Sequence, residues 1–158
     1  MSFKTTFTAA LAGTIMLATG AFADGIMAKD PYARAASPAA KAGAAFMMIE
    51  NHTDTDDRLI GVRSDAAKRV ELHTHIDKGE GVMQMTQIEG GIAIPAGGAH
   101  MMQRGGDHVM LMGLNGPLVQ GETVEITLIF EKAGDVVIEI PVDNERKGTH
   151  GSMDHKSD

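Results

Sequence analysis

The sequence contains no cysteine, no tryptophan and a single tyrosine. Without cysteine there can be no disulfide, no thiolate metal site and no thiol nucleophile. Without tryptophan, and with one tyrosine, the stacking platforms expected of single-strand or sugar binders are missing. Basic residues are also scarce: 14 Lys and Arg face 21 Asp and Glu, a net charge of −7. A chain so acidic carries no electrostatic footprint for nucleic acid or anionic lipid. Long apolar runs are lacking too. The best stretch, Phe7–Gly20, is interrupted by Thr and Gly and is too short for a comfortable membrane span.

That stretch reads instead as a secretory signal. Lys4 supplies the positive start, and Ala21-Phe22-Ala23 is a small-residue cleavage pattern. The expected organisation is a cleaved signal over 1–23, one domain over 24–143 and a polar tail over 144–158. The tail has only Met153 as an apolar residue, so it is expected to be disordered. Export would make the protein periplasmic, with no membrane insertion after cleavage and a net charge of −8 once Lys4 is lost. A domain of this size can bury a core without a structural metal, so any metal it holds is expected to be cargo. It is expected to act as a monomer.

Short apolar segments separated by Gly-rich turns fill the domain. Ala44–Glu50, Arg58–Val62, Arg69–Ile76, Val82–Ile88, His108–Leu114, Thr123–Phe130 and Val136–Val142 all read as strands. Alternation is plainest at the end, where Val124, Ile126, Leu128 and Phe130 share a face and Val136, Ile138, Ile140 and Val142 repeat the pattern. The Ala133-Gly134 turn makes these two a hairpin. Ala33–Ala45 reads as an Ala-rich connector carrying Pro38. No segment has a helical period. The predicted fold is all-β, an antiparallel sandwich or barrel.

What the sequence has in excess is methionine, 12 residues in all. Methionine is ordinarily a flexible core filler, so position must decide. Two clusters qualify. In the first, a hairpin loop over Asp77–Gly81 centred on Gly79 would set His73 opposite Met85 and His75 opposite Met83, all four on one face. Val70, Leu72 and Val82 would then face the core. In the second, His108, Met110 and Met112 share a strand face that begins directly after the Arg104–Asp107 turn, at the sandwich rim. Imidazole and thioether together are the donors that Cu(I) favours, because soft sulfur selects it over zinc, magnesium or calcium. A blue-copper electron-transfer centre would need a cysteine thiolate. Copper bound here is therefore expected to be carried or stored. His52 and His100 read as surface hydrogen-bonders, and Met27, Met47, Met48, Met101 and Met102 as ordinary filler. His150, Met153 and His155 in the tail form a third cluster, expected to take a second copper as Cu(II).

Glu71-Leu72-His73, Gly81–Met85, Gly90–Gly98 and His108–Leu114 resemble the PCu(A)C family of periplasmic copper chaperones, over about Ala28 to Val142. The resemblance implies a cupredoxin-like β-sandwich or Greek-key barrel. It implies Cu(I) as cargo, held by His73, Met85, His108 and Met110. It also implies delivery toward the binuclear copper centre of cytochrome c oxidase, with the oxidase's copper-bearing subunit and Sco-type thiol proteins as partners. The turn between His73 and Met85 is one residue longer than the usual pattern, which leaves Met83 as an alternative to Met85. His75 stands where many members have a methionine. A copper buffer without a dedicated recipient would use the same residues. An enzyme is not expected, since no nucleophile elbow or Ser–His–acid grouping stands out.

Overall fold

The computed structural model describes residues Gly25–Lys147. The expected signal segment, and His150, Met153 and His155, lie outside the described residues. Ten strands follow one another: β1 (Ile26–Ala35), β2 (Ala42–Asn51), β3 (Asp57–Arg63), β4 (Ala67–Asp77), β5 (Met83–Gln87), β6 (Ile92–Ile94), β7 (Ala99–Met102), β8 (His108–Leu114), β9 (Thr123–Phe130) and β10 (Gly134–Pro141). No helix occurs among the described residues, so the all-β reading holds.

Two sheets pack face to face. The larger runs β1-β2-β8-β4-β5, with β7 added on β2, and the smaller runs β10-β9-β3-β6. Alternation drives the packing. Leu59, Ile94, Ile126, Leu128, Phe130 and Ile140 point inward from the small sheet, and Ile49, Leu72, Val109 and Leu111 from the large one. Each such side chain contributes about 1.5–3 kcal/mol by leaving water. A parallel bridge from Ala33 to Val142 ties β1 to the residue that follows β10.

All seven predicted strands are present, and the β9–β10 hairpin pairs without a break from Gly134↔Phe130 to Pro141↔Thr123. Three strands were not read from the sequence. β6 and β7 have only 3 and 4 residues. β1 is interrupted by Asp30-Pro31, where the register slips and Asp30 takes a φ of 50°. Proline is tolerated there because β1 is an edge strand. The Ala-rich connector is correspondingly shorter than predicted, since Ala33–Ala35 belong to β1 and Ala42–Ala45 to β2.

The domain also ends later than predicted. Asn144, read as the first tail residue, accepts the Ala35 amide and donates to the Leu118 carbonyl. Arg146 pairs with Asp30 and stacks over the Tyr32 ring at 4.3 Å. A single tyrosine thus finds a cation where composition alone suggested only polar tail.

Candidate metal centre

The centre forms where β2 changes partner. Residues 42–45 of β2 pair with β8, and residues 47–50 pair with β7. The five residues between Met102 and His108 therefore leave the sheet opposite Phe46, and the chain returns at His108. That excursion, opened by Gly105 at φ 86°, folds over the outer face of the large sheet. There β4 sets His73 directly across from His108. Directly opposed Cβ atoms lie about 4.5–5.5 Å apart.

The predicted hairpin register is off by two. His75 pairs with Met85, Asp77 with Met83 and His73 with Gln87. The reason is the loop. Gly79, Glu80 and Gly81 are all left-handed, with φ of 90°, 54° and 78°, and Asp77 Oδ1 accepts the Gly79 amide at 2.7 Å. The turn is thereby centred on Glu80 rather than Gly79. A shift of two keeps every side chain on its face, so the His/Met face survives while its partners change. Val82 falls inside this loop and is 58% exposed, not core. Leu72 is buried as predicted, and Val70 packs against the core.

His75, Met85, His108 and Met110 all line one cavity of about 340 Å³, with Phe46 and Arg104 on its walls. His73 stands beside it, its ring centroid 6.0 Å from that of His108. The His75 ring is 5.3 Å from the same imidazole. Met83 and Met112 stand apart from the cavity: Met83 is 53% exposed, and the Met112 sulfur accepts from Arg69 at 3.3 Å.

Hydrogen bonding fixes which ring nitrogens are free. His108 is buried, and its Nδ1–H donates to the Gly106 carbonyl at 3.0 Å. Its Nε2 lone pair is left over. Burial holds the His108 pKa below the ordinary histidine value, outweighing the Gly106 bond, which acts the other way. His73 Nε2–H donates to Glu71 at 2.8 Å, and Glu71 is itself held by Arg69 at 3.1 Å. His73 Nδ1 is buried and has no partner. An unpaired buried nitrogen costs about 1–3 kcal/mol, and a cation would relieve it. Metal-binding imidazoles typically donate the other N–H to a carboxylate or a backbone carbonyl. His73 and His108 each do one of these. His75 Nδ1–H also reaches the Gly106 carbonyl, at 3.3 Å.

Among the described residues no three His, Asp or Glu groups converge to hold a metal by themselves. The thioethers of Met85 and Met110 line the same cavity and are soft donors. Sequence reasoning missed the supports. Glu71 was legible in principle, two residues from His73 and so on the same strand face. The Gly106 carbonyl and the Phe46 wall carry no sequence signal of their own.

His52 and His100 behave as read. His52 bonds Glu50 at 3.1 Å, and His100 bonds Asp107 at 2.8 Å. Of the methionines read as filler, Met47 and Met102 are buried, but Met27 and Met101 are 43% and 50% exposed.

The pattern of the LpqE-like family matches residues 26–142, which contain every residue of this centre. The chain belongs to the LpqE-like family. This bears out the resemblance to PCu(A)C proteins. One family relative, named as lipoprotein Lxx21020 of Leifsonia xyli subsp. xyli, is 32% identical over 78% of this chain and 72% of its own length. The copper-bound PCuAC domain from PmoF2 is 30% identical, covers 76% of this chain and 93% of that domain, and superposes with a TM-score of 0.62. The solution structure of CuI-DR1885 from Deinococcus radiodurans is 33% identical, covers 79% and 84% of the two chains, and gives a TM-score of 0.59. The LpqE-like domain thus has the cupredoxin-like sandwich of PCuAC domains.

Proposed function

We propose that this protein is an exported copper metallochaperone with no turnover of its own. It holds one Cu(I) through His73, Met85, His108 and Met110, and delivers it toward the binuclear copper centre of cytochrome c oxidase. The observation that carries the reading is the pair of facing imidazoles. Each spends one N–H on a fixed acceptor and keeps one lone pair free, His73 through a buried nitrogen without a partner. The thioethers on the cavity wall favour the monovalent, soft ion. Copper in two PCuAC neighbours, one of them loaded as CuI, supports the same cargo. His75 lies across from Met85 and lines the same cavity, beside the four ligands. The lipoprotein relative supports a place outside the cytoplasm, in keeping with the signal segment.

The test is anaerobic transfer. Protein loaded with one Cu(I) is mixed with the apo copper-bearing subunit of the oxidase, and the two are separated and assayed for metal. Chaperoning predicts that copper moves to the subunit. Retention on the donor, with the affinity intact, would leave a copper buffer in its place. Deleting residues 148–158 separately tests whether the tail takes Cu(II), which predicts loss of Cu(II) binding and unchanged Cu(I) binding.

A further inference from the structure

Four methionines meet on β2 and β7. Met47 pairs with Met102, and Met48 with Met101. The first pair points inward and is 2% and 1% exposed, which ordinary packing explains. The second pair points outward. Met101 is 50% exposed, and Met48 is only partly covered. On a half-buried strand surface, β-branched or aromatic residues are the usual occupants. An exposed methionine forgoes much of the roughly 1.5–3 kcal/mol its burial would contribute. Packing therefore accounts for one pair and leaves the other unexplained.

The outward pair sits in a groove of about 710 Å³. This groove and the His/Met cavity share Phe46, Arg104 and Gly105 as lining, so the two adjoin on the same face. The carboxylate two residues along β2, Glu50, is already engaged by Lys29 at 3.6 Å and His52 at 3.1 Å. Arg146 at the groove is engaged by Asp30. The pair thus offers sulfur and little else. The carboxylate that lines the groove, Asp30, is held by Arg146, so a hard divalent ion finds little free oxygen there, whereas a soft monovalent ion accepts two thioethers. Directly opposed strand residues have Cβ atoms about 4.5–5.5 Å apart, within reach of two flexible side chains meeting at one ion.

We propose that Met48 and Met101 form a second, weaker Cu(I) site, a landing place from which the ion passes along the groove to the His/Met centre. The proposal rests on the chaperone reading in taking Cu(I) as cargo. With two neutral donors and no imidazole, this site binds at least tenfold more weakly than the first.

Methionine-methyl NMR of the full chain, titrated with Ag(I) as a redox-inert soft monovalent probe, reads every thioether separately. The first equivalent should shift the methyls of Met85 and Met110, and the second those of Met48 and Met101. Met48→Leu, which conserves volume, should then abolish the Met101 shift while the first equivalent binds as before. Unmoved Met48 and Met101 methyls at the second equivalent would overturn the proposal, as would a full Met101 shift in Met48→Leu. A second equivalent that moves only Met153 would do the same and assign it to the tail. If Met85 and Met110 stay still at the first equivalent, the chaperone site fails, while Met48 and Met101 are still judged by their own signals.

Discussion

The β9–β10 and β4–β5 hairpins are both written in alternating residues, yet the first pairs without a break and the second is displaced by two from the register its residues suggest. In β9–β10 the alternation buries Val124, Ile126, Leu128 and Phe130 against the opposite sheet, and its turn is clamped from outside the hairpin. The carboxylate of Asp57, nearly buried on β3, accepts the amides of Arg58, Lys132 and Ala133 at 2.7–2.9 Å. In β4–β5 the second strand is almost wholly exposed, and three left-handed residues place the turn. A buried face forbids a slip of one residue in β9–β10, because that would turn the whole strand over. A slip of two costs nothing in pattern. The stable hairpin is specified by its core and its clamp, the functional one by its loop.

Variants can break this contrast. The largest effect is expected at His108. His108→Ala should weaken Cu(I) by about a thousandfold, about 4 kcal/mol, in a competition titration. Met110→Leu should weaken it tens of fold while costing less than about 1.5 kcal/mol of stability, since volume is conserved. Equal affinity in both variants would move the centre elsewhere.

The mirror image is Asp57→Ala, which should leave Cu(I) affinity alone and cost about 3 kcal/mol of stability, because three amides lose a charged acceptor. Burial raises the Asp57 pKa, but the Lys132, Arg58 and Ala133 amides more than offset it, and the carboxyl stays below its ordinary value. A carboxyl depressed on folding stabilises above its unfolded pKa of 3.8, and that contribution is lost as pH falls below this toward the folded value. Acid unfolding should therefore be less steep in Asp57→Ala than in the parent. Parallel acid curves would show that the clamp does not hold the turn.

This contrast also separates what was legible from what was not. The strands carrying the core were readable because burial imposes a period of two, and the His/Met face was readable because parity survives the slip. The partner of each histidine was not readable. It depends on Glu80 adopting a left-handed backbone, which its residue type does not announce. Nor was β1, where a bulge at Asp30-Pro31 hides an edge strand. Arg146 sits in a run of polar residues, and only Tyr32 and Asp30, over a hundred positions away, show why it is ordered.

A smaller and sharper effect tests the register itself. Met85 lies across from His75 and lines the cavity, whereas Met83 lies across from Asp77 and is exposed. Met85→Leu should weaken Cu(I) by about tenfold, about 1.4 kcal/mol, and Met83→Leu should leave it unchanged. The reverse result would restore Met83 as the ligand and displace the hairpin.

The central claim is a mixed nitrogen–thioether Cu(I) site on the outer face of the large sheet. X-ray absorption of the protein loaded with one Cu(I) tests it most directly. The account predicts sulfur and imidazole nitrogen together around copper, with one sulfur lost in Met110→Leu and one imidazole lost in His108→Ala. A copper shell of nitrogen and oxygen alone, unchanged in both variants, would contradict it.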